Sequence, residues 1–581
     1  MIEARFDDLR PGGEGSFRYV GPAGVIEAIR PDEVASTLEA VEAACARGLF
    51  AAGFVAYEAA PAFDPHLRVQ APVPGLPLAW FGLFEGREPV EEPPAAPPTA
   101  PTPSPWRPDA DRAWFTDRVA AVREAIAAGD TYQVNLTTRL RAVVRGDARG
   151  LYRDLVLAQR GGHCAYLDTG RHRIVSASPE LFFALADGRC VTRPMKGTAA
   201  RGRFEEEDEA AARALVASDK ERAENAMIVD LLRNDLGRIA RSGTVEVPAM
   251  FDVERYETVW QLTSTVACEP RAGTGLLDVF RALFPCGSVT GAPKVRTMGF
   301  IDDLETSPRG VYCGAVGRVE PPDARGPRAT FNVAIRTVVV DTTDGSATYG
   351  VGGGITYASD PAREHDEVLA KARVLTTTRP AFDLLETLRL DDDGYADLEE
   401  HLERLASSAR YFGFAHDPEA VHDALAAARA QARGPRRVRL SLTRSGAVTT
   451  LVDDLPAPPD GPVPLVLDDE PVDADDVWLF HKTTNREVYE RRAARAPDAE
   501  VLLVNDRGEV TETPIANVAV RLEGRWWTPP RTSGLLAGTA RARMLRDGTL
   551  AERPIPADAL RRAEAIALVS TVRGWRDARL T

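Results

Sequence analysis

Between Glu91 and Asp109 the chain reads EEPPAAPPTAPTPSPWRPD, close to half proline. Proline has no backbone N–H and a fixed φ, so such a run neither continues a helix nor sits inside a sheet. It predicts an extended, semi-rigid connector over residues 91–110. Use of the run as a ligand for a proline-reading partner is the rarer alternative. The connector sets an N-terminal subdomain, about 1–90, apart from a core at about 111–378.

At roughly 100–200 residues per domain, 581 residues make three or four modules or two large ones. The net charge of −15 makes nucleic acid and anionic membranes poor partners. An anion must therefore be bound by local cations. The six cysteines, Cys45, Cys164, Cys190, Cys268, Cys286 and Cys313, form no CxxC pair. That spacing argues against a disulfide framework or zinc site and fits a reducing cytosol. The opening MIEARFDDLRPGGEG has no apolar run for a signal peptide, and no stretch reaches the ~18 apolar residues of a membrane span. A cytoplasmic location is expected.

Strand patterns recur in GDTYQVNLTTRLRA, HRIVSASPELFFAL, RATFNVAIRTVVV and SATYGVGGGITYA. Two helical segments, Glu205–Arg241 and Pro361–Thr376, interrupt them. The order is neither strict βαβ nor all-β, so the fold class is α+β. A second boundary falls near residue 380. After it, Leu398, Leu402, Leu405, Ala409 and Phe412 line one face of an amphipathic helix. No internal repeat is visible, so residues 1–378 and 380–581 are expected to be unrelated folds.

In the first half, Met227, Ile228, Leu231, Leu232 and Leu236 form a buried helical stripe with Glu224 at its edge. Asp360-Pro361 is a good helix start. It places Glu364, Glu367 and Lys371 on one face, at i, i+3 and i+7. Two carboxylates and a cation so placed can hold a hard metal and an anionic substrate, or make a solvated charged face. Residues 287–292, GSVTGA, can offer backbone N–H groups to an anion. Gly352, Gly353 and Gly354 inside a strand mark either a close approach to backbone or a bulge. Arg336, alone in an apolar strand, should need a carboxylate partner.

Taken in order, SPE (178–180), RPMKGT (193–198), DKERAENAMIVDLLRNDLGRI, GSVTGAPKVRTM, GVYCGAVG, NVAIRT and GGGITYASDPAREHDEVLAKA resemble the chorismate-utilising enzymes. The resemblance covers roughly 115–378, and GFVAYEAAPAFDP looks like that family's N-terminal subdomain. It implies an antiparallel-sheet fold with flanking helices and Mg²⁺-dependent chemistry on chorismate. Glu224 and Glu367 would be metal ligands with Glu364 close by. Arg336, Tyr312, Thr290, Gly352, Gly353, Gly354 and Lys371 would hold the substrate's carboxylates.

Lys196 is the informative position. The aminodeoxychorismate synthases typically carry lysine there and the anthranilate synthases alanine. Its amine can attack C2 of chorismate as the C4 hydroxyl leaves, and ammonia entering at C4 then expels it. Glu180 is the expected general acid for the hydroxyl. Many relatives carry histidine where Gln261 stands, so no proton-transfer role passes to that position. The chain has no Gly-x-Cys-x-Gly elbow, so ammonia is expected from solution or from a separate glutamine amidotransferase.

In the second half, WLFHKTTNREVYERR puts Lys482 after a short apolar strand. LLVNDRGEVTETPIANVAV reads as a hairpin returning through Glu512, and SGLLAGTARARML as a glycine turn opening a helix. A lysine, an acid and a helix N-terminus are what pyridoxal 5′-phosphate (PLP) requires, though each alone is commonplace. With FDLLETLRL, HLERLASSARYFGF and LVSTVRGW in order, residues 380–581 resemble the fold-type IV PLP enzymes. These include branched-chain and D-amino-acid aminotransferases and 4-amino-4-deoxychorismate lyase. The resemblance implies two α/β subdomains and leaves room for a homodimer through this domain. Lys482 would bind the cofactor covalently and Glu512 its ring nitrogen. Arg404, Thr571 and the backbone of Thr539 and Ala540 would hold the phosphate, with Arg573 near substrate. A lyase would consume the first half's product. The expected function is therefore a bifunctional enzyme making 4-aminobenzoate for folate, the alternatives being a fused general aminotransferase or a non-catalytic docking domain.

Overall fold

The structure, a computed structural model, describes all residues except Met1, Pro11, Glu92, Pro93, Ala95, Ala96, Pro98–Ala100, Thr377–Arg379, Pro458 and Pro459. The chain divides into two compact units. One contains Met1–Ala200 and Ala212–Arg379, the other Arg201–Ala211 and Pro380–Thr581. Part of the expected connector and the expected boundary near 380 lie outside the described residues.

The first unit is built on a 19-stranded sheet whose pairings are antiparallel. The strand Gln133–Arg145 lies within it, and its first eight residues are all buried. It pairs with Ser346–Ile355 over an unbroken register, from Ser346 opposite Val143 to Ile355 opposite Val134. The N-terminal strands join the same sheet: Glu3–Asp7 pairs with His163–Asp168, and Phe50–Val55 with Ala315–Asp323. From Pro101 on, the described part of the proline-rich run is not only extended but bonded. Thr102–Pro103 and Arg107–Pro108 pair with the strand Gln133–Arg145, where non-proline neighbours supply the N–H groups.

The helical segment expected over 205–241 is two helices, Glu205–Ala217 and Asp219–Gly237. Ser218 breaks it, because its side chain accepts from the Glu221 N–H as an N-cap. Beneath the sheet Glu305 is buried between Arg139, at 2.9 Å, and Arg309, at 2.7 Å. Buried charges need such pairing. Arg309 donates onward to the carbonyls of Val289 (2.7 Å) and Asn135 (2.8 Å).

The second unit has two sheets. Leu384–Asp391, Gly394–Tyr395, Arg436–Leu442 and Val448–Asp454 form an antiparallel one, packed by the helices Leu398–Phe412 and Pro418–Gln431. On the first helix Leu405, Ala409 and Phe412 are buried, with Leu398 and Leu402 partly so. The other sheet has eight strands of mixed direction. All six cysteines are free and buried. Among the described residues no helix is long and apolar enough to cross a membrane.

Candidate active sites

In the first unit a cavity of about 210 Å³ is walled by the strand Ser346–Ile355 and the helices Asp219–Gly237 and Pro361–Ala372. The Asp360 carboxylate accepts from the Arg363 N–H at 2.9 Å and starts the last of these. Helical periodicity then turns Glu364, Glu367 and Lys371 into the cavity. Lys371 Nζ lies 2.7 Å from Glu367 Oε1 and donates to the Gly352 carbonyl at 3.0 Å.

The glycine run contains no bulge, since its register with Asn135–Thr137 is unbroken. Close approach explains it. A Cβ on Gly354 would collide with the Gln133 amide and stand 2.9 Å from Lys196 Nζ, and one on Gly352 would collide with the Leu136 carbonyl.

Lys196 projects from the strand Met195–Ala200 with its amine in this cavity. Asn225 Nδ2 holds its carbonyl at 3.2 Å, and Ser264 Oγ holds Asn225 Oδ1 at 2.6 Å. Burial pushes the Lys196 pKa down. Lys371 adds to that, against the pull of Glu224, Glu180 and Glu367. Glu180 is 3% exposed, and its Oε1 has no hydrogen-bond partner among the described residues. Burial raises it to about 7, against Ser288 and Lys196, so about half of it carries a proton near pH 7.

Glu224, Glu364 and Glu367 face the same space. Burial raises Glu224 and Glu364, and a neighbouring carboxylate adds to each. Glu367, whose side chain is 52% exposed, is lowered: its partial desolvation is outweighed by the Lys371 amine that pairs with it. Among the described residues no three acidic, histidine or cysteine side chains converge closely enough to enclose a metal alone. What the cavity does offer is the chemistry of its donors: Glu224, Glu364 and Glu367 are hard oxygen ligands of the kind Mg²⁺ takes along with waters and substrate oxygens.

Arg336 differs from expectation. It lies between strands, at φ 52°, and makes no ion pair among the described residues. Its Nη1 donates to the Lys371 carbonyl at 3.1 Å instead of meeting a carboxylate. A left-handed arginine costs about 1–3 kcal/mol, and here that conformation turns the guanidinium to the cavity wall. Tyr312 also lines the cavity, over Arg139 at 5.4 Å. Thr290 does not line it: its hydroxyl is fully buried and donates to the Cys286 carbonyl at 3.0 Å, while Ser288 and Val289 form the wall. Sequence reading missed Asn225 and Gln133, which act on Lys196 and Gly354 across the fold and carry no local signature.

In the second unit a cavity of about 550 Å³ brings together Lys482, Glu512, Arg404, Thr539, Thr571 and Arg573. Ala540 is buried behind Thr539 and does not line it. Lys482 does not follow a strand: Val477–Leu479 is a 3₁₀ turn capped by Asp476. Asp476 accepts from the Trp478 N–H two residues on, so local capping prevails over the apolar pattern. The Leu385 N–H holds the Lys482 carbonyl at 2.9 Å. Burial, then Arg404, lowers the Lys482 amine to about 8.

The Glu512 hairpin forms as expected around Asn505–Gly508. Tyr489 Oη (2.8 Å) and the Leu536 N–H (2.9 Å) hold Glu512 Oε1, and Asn517 Nδ2 holds Oε2 at 3.2 Å. Burial raises Glu512 to about 7. Thr539 opens the helix Thr539–Arg546 after Gly538, where a Cβ would collide with Asn517. Thr539 Oγ1 lies 2.5 Å from Thr571 Oγ1 and 3.2 Å from His401 Nε2.

Glu386, also missed from sequence, anchors this corner. It takes Arg404 Nε at 2.9 Å and Nη2 at 2.6 Å, and His401 Nδ1 at 2.6 Å. Burial would raise Glu386, but Arg404 and His401 hold it at about 2. A folded-state pKa below the unfolded value near 4.5 means stability present above pH 4.5 and lost as pH falls toward 2. Glu386→Gln should flatten that acid limb of the stability curve, as read by chemical unfolding between pH 6 and pH 3.

A profile of the chorismate binding enzyme family matches residues 6–377, and one of class IV amino-transferases matches 383–580. Over 260 residues the chain is 45% identical to an aminodeoxychorismate synthase of Streptomyces pristinaespiralis, covering 45% of this chain and 35% of that protein. Over 274 residues it is 44% identical to anthranilate synthase component 1 of Streptomyces coelicolor, covering 47% and 52%. The chain thus spans about a third to a half of the length of these relatives. The solved anthranilate synthase component I of Streptococcus pneumoniae aligns with 62% of this chain and 92% of its own, at 26% identity and a TM-score of 0.54. This chain belongs to the chorismate-binding enzymes, with a class IV aminotransferase domain joined to it in the same polypeptide.

Proposed function

We propose that the chain is a bifunctional enzyme of 4-aminobenzoate formation, which aminates chorismate at C4 and then eliminates pyruvate. The observation that carries this reading is the partly buried Lys196, whose amine stands beside Gly354 in the cavity that Glu180 and the carboxylates also line. The relatives are named for both aminodeoxychorismate and anthranilate synthesis, so overall similarity does not choose between C4 and C2. A nucleophilic lysine does. Its lone pair forms the Nζ–C2 bond as both ring double bonds shift, from C1=C2 and C5=C6 to C1=C6 and C4=C5, and C4–O breaks, and Glu180 protonates the departing hydroxyl to water. Ammonia then bonds to C4, both double bonds shift back, and the C2–Nζ bond breaks to return the amine. Mg²⁺ held by Glu224, Glu364 and Glu367 would neutralise substrate carboxylate, and Arg336, Tyr312, Lys371 and the glycine strand would orient it. The ammonia comes from solution or from a separate glutamine amidotransferase, in the cytoplasm.

In the second unit PLP fits the residues present: Lys482 for its aldehyde, Glu512 for its ring nitrogen, and Arg404, Thr539 and Thr571 for its phosphate. The cofactor, when bound, supplies an electron sink for cleavage next to an amine. Lys482 would take the C4 proton, and aromatisation would drive loss of pyruvate. Arg437, Arg439 and Arg573 line the same cavity. These cations suit a substrate with two carboxylates better than an apolar branched-chain amino acid, which supports lyase over general aminotransferase. The test is whole protein with chorismate, Mg²⁺ and ammonium. 4-Aminobenzoate plus pyruvate supports the reading, and anthranilate overturns it. Transamination of branched-chain or D-amino acids without pyruvate release would instead favour the fused aminotransferase.

A further inference from the structure

Residues Arg201–Ala211 lie within the span of the chorismate-binding match yet fold as part of the second unit. They follow directly on the strand that carries Lys196. Arg201 grips Asp208 with two bonds of 2.6 Å and donates to the Tyr411 carbonyl at 2.8 Å. Tyr411 Oη donates back to the Gly202 carbonyl at 2.7 Å. Phe204 is 8% exposed and joins an apolar cluster with Val472, Leu479, Phe480, Tyr489 and Leu503. Its ring lies 5.4 Å from that of Phe480, with the Arg531 guanidinium 3.9 Å above it. The Arg203 side chain is tied down by Glu207 and Asp475.

Two contacts lead from this segment to the cofactor-site residues. The Arg203 carbonyl lies 3.1 Å from His481 Nε2. A carbonyl only accepts, so Nε2 carries the hydrogen. Burial lowers His481 to about 3, so the ring is neutral and its bare Nδ1 accepts from Ser408 Oγ at 3.0 Å. That fixes tautomer and ring plane at the residue next to Lys482. Phe204 also packs in one cluster with Tyr489, whose hydroxyl holds Glu512. The segment therefore backs both ends of the site, the lysine through His481 and the acid through Tyr489.

We propose that Arg201–Ala211 is a positioning segment of the PLP site, orienting Lys482 through the Arg203 carbonyl and Glu512 through Phe204. The inference rests on the PLP reading of the second unit. It means that this unit is not a self-contained run of sequence, because a necessary part of its site is supplied from within the first half.

The test uses the full-length protein and its variants Phe204→Ala, Phe204→Leu and Arg203→Ala. The apo forms are titrated with PLP, and the visible absorbance of lysine-bound PLP is followed against pH. Phe204→Ala should bind PLP at least about tenfold more weakly, equivalent to roughly 1.4 kcal/mol, and shift the pH midpoint. Phe204→Leu, which refills the cluster, should restore both. Arg203→Ala leaves the apolar core filled while removing the carbonyl's side-chain anchor and the guanidinium that lies over Phe480, so it carries the test if Phe204→Ala does not fold. It should move both quantities in the same direction by a smaller amount. Wild-type protein that binds PLP, with folded variants matching it in affinity and midpoint, overturns this inference alone. Wild-type protein that binds no PLP overturns the cofactor reading and this inference with it.

Discussion

Lys196→Ala should lower the rate of 4-amino-4-deoxychorismate formation from chorismate and ammonium by on the order of 10³-fold or more, in a protein that still folds. The fold should survive because the peptide, not the side chain, is what the sheet uses. Asn225 holds the Lys196 carbonyl and the strand pairs with Val259–Cys268, and neither contact involves the amine. Mg²⁺ binding should not weaken, since a cation is removed from beside Glu224 and Glu367. Lys196→Arg should be equally inactive, because a guanidinium does not deprotonate to attack carbon. Chromatography of the product completes the test. Anthranilate from the alanine variant would mean that ammonia now enters at C2 directly, so that the lysine sets the position of amination. An unchanged rate and product would remove the covalent role.

What could be read from sequence was governed by local chemistry. Asp360-Pro361 starts a helix because the cap and the fixed φ act within one turn, and the spacing of Glu364, Glu367 and Lys371 then suffices to put all three on the cavity. The alternation in QVNLTTRLRA and SATYGVGGGITYA marks each as a strand for the same reason, whereas their pairing with one another is seen only in the fold. Where spacing was ambiguous, packing decided. The glycine run could have been a bulge, and only the close packing of the Gln133 amide, the Leu136 carbonyl and Lys196 Nζ against it shows why glycine is needed. Arg336 reads as a strand residue, but the chain turns there and the charge finds a backbone carbonyl. Thr290 belongs to a motif that lines the cavity through its neighbours rather than its own hydroxyl. Glu386 and His401 lie inside FDLLETLRL and HLERLASSARYFGF, yet nothing local assigns either of them a role at the phosphate corner, because their partners come from separate elements. Least legible is the assignment of Arg201–Ala211 to the second unit. Its acidic run, residues 205–209, reads as the start of the helical segment that follows it, and the segment's contacts lie more than two hundred residues away in sequence.

Lys482→Ala should abolish the visible absorbance of lysine-bound PLP and lower pyruvate release from chorismate by about 10³-fold or more, while 4-amino-4-deoxychorismate accumulates. The backbone at this position is fixed by the Leu385 N–H and by the bridge of Thr483 to Leu384, so truncating the side chain leaves the turn in place. With its pKa near 8, about a tenth of the wild-type amine is neutral at pH 7, a supply of nucleophile that a solvated lysine would not have. Accumulation of the intermediate separates the readings. A docking domain predicts that the variant makes the same products as wild type, and a general aminotransferase predicts that pyruvate release from chorismate was absent before the substitution. The two alanine variants also test each other. Lys196→Ala lacks only the first step and Lys482→Ala only the second, so mixing them should restore 4-aminobenzoate through released intermediate. If each variant is active in its remaining half-reaction and the mixture yields no 4-aminobenzoate, the two steps do not communicate through solution.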